Sequence, residues 1–222
     1  MPDISCPSCG GAVPLRRAAL PYAVCPYCQS LLVRDDGDLR AVGKSAVLPF
    51  DVSPIVIGTR GSAEGLAFEV VGRVRWGWTD GAWNEWLLAM GDGTTRWLGE
   101  AMGTFMLLAE APEVCDLPAI KAFADGGAIT PGYRVTINGQ RFRAADIKQA
   151  RCLGGEGELP FATPPDWTMT SVDFRNPDGG SLSVQRDAHG TSAWLGRYCE
   201  LADLKPSGLR RFADWALPEG LQ

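Results

Sequence analysis

Four cysteines carry the clearest chemistry in this chain. They form two Cys-x-x-Cys pairs, Cys6-Pro-Ser-Cys9 and Cys25-Pro-Tyr-Cys28, separated by the fifteen residues 10–24. Each pair offers two thiolates from one tight turn, and a short hairpin brings the two turns together around a tetrahedral ion. Gly10 follows Cys9, where a left-handed backbone lets the chain turn back beneath the metal. The expected product is a zinc ribbon, with Zn2+ held by Cys6, Cys9, Cys25 and Cys28 in a structural role. Four thiolates close the coordination shell and leave no position for water or substrate. The same ligands also serve iron, and spacing does not separate the two metals. A redox Cys-x-x-Cys opens a helix after a strand, whereas Pro26-Tyr27 has no helical continuation.

Catalytic constellations are missing from the rest of the sequence. It has no Gly-x-Ser-x-Gly, His-Glu-x-x-His, phosphate-binding loop or dinucleotide fingerprint. The one histidine, His189, lies in Arg186-Asp-Ala-His-Gly, which reads as a turn. The remaining chemistry is aromatic. Trp76, Trp78, Trp83, Trp86 and Trp97 crowd a short span, and indole faces can stack on a sugar, a base or a cationic amine, with Glu85 or Asp80 beside them. Trp76 and Trp78 share parity with Phe68, Val70 and Val74 and are expected in the core. Trp83 and Trp86 have opposite parity, so one of them faces away. Trp83, Asn84, Glu85 and Trp86 are therefore the candidate partner or ligand surface.

The elements that must position these residues are strands. Phe68 to Trp78 alternates apolar and polar residues with period two, Trp83 to Met90 returns, and Thr94 to Leu98 follows. Gly58-x-Arg60-x4-Gly65-x2-Phe68 matches Gly132-x-Arg134-x4-Gly139-x2-Phe142 at identical offsets, and Trp97-Leu-Gly99 is echoed by Trp194-Leu-Gly196. Asn138-Gly139 is a type I′ hairpin signal. The expected fold is mainly β. A zinc ribbon over 1–40 and a linker over 41–56 precede a duplicated antiparallel β-sheet or barrel-like domain over 57–204, with repeats at 57–108 and 131–204. Residues 109–131 and 153–167 are expected as loops. The tail, 205–222, is expected to carry a short C-terminal helix from Ser207 to Leu217, with Leu209, Phe212 and Trp215 on one face.

Charge narrows the function classes. The net charge is −5, and Arg16, Arg17, Arg34 and Arg40 are cancelled within the ribbon by Asp3, Asp35, Asp36 and Asp38. Nucleic-acid binding needs a basic footprint, so it is not expected. The start, Met1-Pro-Asp-Ile-Ser, lacks the basic and apolar regions of a signal peptide, and no apolar run is long enough to span a bilayer. Seven cysteines, four of them metal ligands, fit a reducing cytoplasm better than a disulfide framework.

Several segments together resemble one bacterial family of unknown function. They are Cys6-Pro-Ser-Cys-Gly10, Pro21-Tyr-Ala-Val-Cys-Pro-Tyr-Cys28, Pro54-x3-Gly-Thr-Arg-Gly61, Phe68-Glu-Val-Val-Gly-Arg73, Trp83-Asn-Glu-Trp86 and Trp194-Leu-Gly-Arg197. In that family a zinc ribbon precedes a β-rich domain. Its members resemble accessory proteins encoded near small membrane proteins and an aminopropyltransferase-like enzyme of polyamine metabolism. The resemblance implies a cytoplasmic partner of a membrane-associated or polyamine-linked system. The leading expectation is a non-enzymatic adaptor that binds another protein. The alternative is a small-ligand sensor using the Trp-rich face.

Overall fold

Two type I′ turns set the architecture. Glu64 and Gly65 have φ 54° and 80°, and Asn138 and Gly139 have φ 48° and 78°, the mirror-image turn that matches the twist of a hairpin. The computed structural model describes residues 4–35, 38–49, 51–213 and 221. Among them, a small module of β1 (Ile4–Ser5), β2 (Ala12–Val13), β3 (Tyr22–Val24), β4 (Ser30–Asp35) and β5 (Asp38–Lys44) comes first. A five-strand meander follows: β6 (Arg60–Ala63), β7 (Leu66–Trp78), β8 (Gly81–Met90), β9 (Thr95–Ala101) and β10 (Thr104–Glu110). After a helical crossing comes a second meander: β11 (Arg134–Ile137), β12 (Gln140–Leu159), β13 (Thr168–Arg175), β14 (Gly180–Arg186) and β15 (Thr191–Cys199).

The meanders agree in detail. Gly58 N–H donates to Val70 and Val70 N–H to Thr59, and Gly132 and Ala144 repeat both bonds with Ala144 and Tyr133, all at 2.8 Å. Gly58 and Gly132 share φ near +90° (93° and 89°). Each long strand is then irregular at the same step, between Val70 and Gly72 in β7 and between Ala144 and Asp146 in β12. β10 pairs with β15, and β12 pairs with β7. The order β7-β8-β9-β10-β15-β14-β13-β12 thereby returns to β7, and the antiparallel sheet closes loosely into a barrel.

Glycine makes the closing seam. A Cβ at Gly72 would lie 2.0 Å from the Glu158 carbonyl oxygen, and one at Gly157 would lie 2.2 Å from that of Val71. These glycines explain why 153–159, expected as loop, belongs to β12: glycine there permits close backbone approach rather than a turn. The irregularity at Val71 overturns another expectation. Phe68 and Val70 lie on the outer face with Trp86 and Leu88, whereas Val74 and Trp76 lie inside with Leu87 and Trp97, because one extra residue switches the face of everything after it.

Helical segments after each meander cover the outside. Within the span 109–131 expected as loop, α1 (Pro118–Ala124) has proline in its first turn and buries Ile120 and Phe123 against Val172, Phe174 and Leu182. A 3-10 turn over Leu201–Leu204 covers Phe68, Trp86 and Leu88. Each segment follows one meander and packs on the other. The expected C-terminal helix is not formed over 207–213: Arg60 and Ser207 exchange backbone hydrogen bonds, and Gly208 is left-handed with φ 75°. Residues 214–217 of that expectation lie outside the described residues. The span 41–56 begins as strand, since β5 runs to Lys44, and it buries Ser45, Ser53 and Ile55 on the barrel.

The seam can be tested at one atom. Gly72→Ala should lower stability by more than about 2 kcal/mol. Gly43→Ala, whose Cβ would meet nothing within 4 Å, should stay within about 0.5 kcal/mol of the parent. Equal urea midpoints for the two variants would contradict the closed seam.

Candidate functional site

Two sites draw chemistry together, and the cysteine cluster is the smaller. Its four sulfurs lie within 4.8 Å of one another, and the pairs Cys6–Cys28 and Cys9–Cys25 are each 3.8 Å apart. A tetrahedron with metal–sulfur bonds of about 2.3 Å has edges of about 3.8 Å, and a disulfide is far shorter at about 2.05 Å. The donor set therefore fits a tetrahedral metal ion. Both turns are closed by backbone: Gly10 N–H donates to Cys6 and Gln29 N–H to Cys25, with Gly10 and Gln29 at φ 75° and 60°. The Ser30 hydroxyl, 3.2 Å from the Cys28 sulfur, and the Ser30 backbone hold that thiol down at about 6.

The cluster is fastened to the barrel by one carboxylate. Glu158, 2% exposed, accepts from the backbone N–H of Arg16 at 2.5 Å and of Arg17 at 2.9 Å, and it pairs with the Arg34 guanidinium. Beside it, β3 pairs with the end of β12, and Leu20 enters the interior cluster of the barrel.

The larger site is a cavity of about 580 Å³ in the barrel, a volume in the range of small-molecule sites. Six tryptophans line it: Trp76, Trp78, Trp83, Trp97, Trp167 and Trp194. Their packing is specific. Trp76 and Trp83 stack with centroids 6.3 Å apart, Trp167 meets Trp76 edge-on at 4.8 Å, and Phe161 stacks on Trp97 at 5.7 Å. Glu85 pins two of the indoles, accepting from Trp76 Nε1 at 2.9 Å and Trp83 Nε1 at 3.1 Å, and it also accepts from Gln185 at 2.8 Å. Burial raises Glu85 above the usual carboxylate range, against the pull of these three donors. Asp187 accepts from Trp167 Nε1 at 2.7 Å and caps the turn that carries His189.

Some polar atoms of the wall have no partner among the described residues. They are Asp173 Oδ1, Thr191 Oγ1 and Trp194 Nε1. Unpaired buried groups cost about 1–3 kcal/mol each, and a molecule in the cavity could offset that. Cys152 faces the same interior, but burial pushes its thiol up to about 11, far from a nucleophilic thiolate.

The candidate surface read from sequence divides between two faces. Trp83 and Glu85 line the cavity. Asn84 and Trp86 are buried outside it, 6% and 0% exposed, with the Arg73 guanidinium donating to Asn84 Oδ1 and lying 4.6 Å from the Trp86 ring. Alternation along β8 accounts for the split. Trp167, Asp173, Gln185 and Trp194 were missed, because they reach the cavity from other strands and the 160–167 loop.

Fold and sites together define an antiparallel β barrel with an aromatic, acid-bearing cavity and an appended four-cysteine cluster. The chain belongs to the family described as Domain of unknown function (DUF4178), whose model matches residues 56–201, about two-thirds of its length. The matched span covers the barrel and begins after the cysteine cluster. No match is found among curated proteins or among solved structures. Among the described residues, no helix is long and apolar enough to cross a membrane.

Asp173 makes the cavity testable by pH. Burial pushes it from an ordinary 3.8 up to about 6; Ser183 pulls it down, and Glu85 and Asp146 raise it further. Between those values the folded protein holds a proton that the unfolded chain has released, so stability falls as pH rises through that window and is level above it. Asp173→Asn removes this dependence. The stability of the variant relative to the parent should rise from about pH 4 to about pH 6 in urea titrations. A difference independent of pH would show that Asp173 does not carry the shift.

Proposed function

We propose that this protein is a non-enzymatic, ligand-binding β barrel that reports the occupancy of its cavity to a protein partner through a structural zinc ribbon. The observation that carries the reading is the cavity: six indoles, buried carboxylates and unpaired polar atoms converge on a volume suited to a small organic molecule. A barrel interior needed only for stability would be filled by aliphatic side chains. The internal correspondence of the two meanders supports an origin by duplication, with the cavity formed between the halves.

Zinc is the metal we assign to Cys6, Cys9, Cys25 and Cys28, on the all-thiolate donor set and the sulfur spacing. All seven cysteines are free of disulfides, which supports a reducing, cytoplasmic setting. A partner would dock at the ribbon tips, where Pro7, Pro26 and Tyr27 are exposed, Tyr27 by 67%. The segment Trp83–Trp86 is not available for that role, since half of it is buried under Arg73 and half faces the cavity.

Three measurements test the reading. Elemental analysis should find one zinc per chain. Cys25→Ser should lose the metal and unfold the ribbon, because metal binding and folding are linked, while the thermal transition of the barrel persists at a lower temperature. A small-molecule screen read by tryptophan emission should find ligands that shift the spectrum and raise the melting temperature together. A screen in which no compound does both would overturn the ligand-binding role.

A further inference from the structure

We propose that the barrel cavity is selective for an organic cation, a primary or secondary ammonium carried on an apolar body, with Asp173 accepting from its N–H groups and the tryptophan wall holding the rest. This rests on the ligand-binding reading above and names the chemistry of its ligand.

Among the described residues, six carboxylates line the cavity wall. Glu85 already accepts from two indoles and an amide. Asp187 is taken by Trp167 and by the backbone N–H groups of His189 and Gly190. Asp146 is paired with Lys148 at 3.1 Å. Glu100 accepts from Asn84 and Trp86, and Glu110 is exposed to water. Asp173 remains. It lines the cavity and Ser183 reaches its carboxylate, but its Oδ1 is buried and no group among the described residues bonds that atom. Arg175 and Ser183 only partly offset the cost of burying this carboxylate, and a cation that enters beside the open Oδ1 lowers what remains.

The apolar part of the wall favours the same ligand. The electron-rich faces of indole attract cations within about 6 Å of the ring. The chain already uses one of them this way: the Lys148 ammonium lies 5.2 Å from the centre of the Trp78 ring while it pairs with Asp146. Among the described residues, acid groups outnumber bases on the wall, where Lys148 and His189 are the basic side chains. An anionic ligand would meet Glu85 and Asp173, and the Lys148 ammonium is already paired with Asp146. A quaternary ammonium has no N–H for Asp173, which is why the primary or secondary ion is preferred.

The test uses the full-length zinc-loaded protein and five probes: hexylamine, 1,6-diaminohexane, tetraethylammonium, hexan-1-ol and hexanoate. Calorimetry and tryptophan emission are recorded at pH 7.5. The two N–H-bearing ammonium probes should bind at least tenfold more tightly than hexanol, with hexanoate weakest and tetraethylammonium weaker than either amine. In Asp173→Asn, the same size and still able to bond Ser183, the preference for amine over alcohol should collapse while hexanol binding is unchanged. Unchanged hexanol binding also shows that the variant keeps its cavity. If hexanol or hexanoate binds as well as the amines, the cation assignment falls and the ligand-binding reading stands. If no probe binds the parent protein, both fall. If the amine preference survives in Asp173→Asn, the assignment of Asp173 falls.

Discussion

The pairing of β7 with β12 is the contact on which the rest of the structure depends. Without it the two meanders form an open sheet, and the residues that now face one another across the cavity would face water. The pairing requires backbones to approach closer than any side chain allows. Gly72 and Gly157 satisfy that requirement, since a Cβ at each would fall 2.0 Å from the Glu158 carbonyl and 2.2 Å from the Val71 carbonyl. Glycine weakens a strand by itself. Here the weakness is offset by ring closure, which buries two faces of each meander instead of one.

Closure creates an interior whose polar content has to be satisfied from within. Indoles bring apolar surface together with an N–H that needs an acceptor. Glu85 meets that need for Trp76 and Trp83, and its own burial is made tolerable by the same bonds. Asp187 does so for Trp167, and Trp194 goes without. The arrangement is a chain of obligations that an aliphatic filling would have avoided, since replacing buried charges with well-packed apolar groups is commonly neutral or stabilising. An interior that accepts such obligations and still leaves Asp173 Oδ1 and Trp194 Nε1 without a partner among the described residues is shaped by something other than its own stability.

The sequence and the structure part where side-chain direction depends on a single inserted residue. The cysteine cluster was legible because its ligands are local and its spacing is restrictive. The two hairpins were legible because Glu64-Gly65 and Asn138-Gly139 sit at fixed distances from Gly58 and Gly132. The face of Trp76 was misplaced relative to Phe68, because nothing in Val70-Val71-Gly72 announces the irregularity that switches it. The end of β12 reads as loop from its glycines, although those glycines exist for a strand. Leu209, Phe212 and Trp215 have helical spacing, but Ser207 bonds Arg60 of β6 instead of capping a helix. The opposite error left α1 unseen, although Pro118, Ile120 and Phe123 carry its start and its buried face. The cavity was half visible, through Trp83 and Glu85. Its other half arrives from strands such as β13 and β14, with Gln185 bonding Glu85 across 100 residues of chain.

The ribbon is tied to this interior by more than covalent connection. Glu158 stands two residues from Glu156, which pairs with Arg73 across the seam, and its carboxylate is filled by two amides and a guanidinium that all belong to the ribbon. Those amides, on Arg16 and Arg17, lie between the two cysteine pairs. A metal that holds the pairs together therefore also holds the amides in place. Release of the metal would let the segment loosen and leave a buried carboxylate short of donors, a situation that costs several kcal/mol. By linkage, whatever free energy the metal contributes to the Glu158 clasp is returned as tighter metal binding when the clasp is formed. β12 carries both ends of this relation, with Glu158 at the ribbon and Lys148 and Asp146 on the cavity wall. The strand that closes the barrel is thus also the one through which the cysteine cluster and the cavity are mechanically joined.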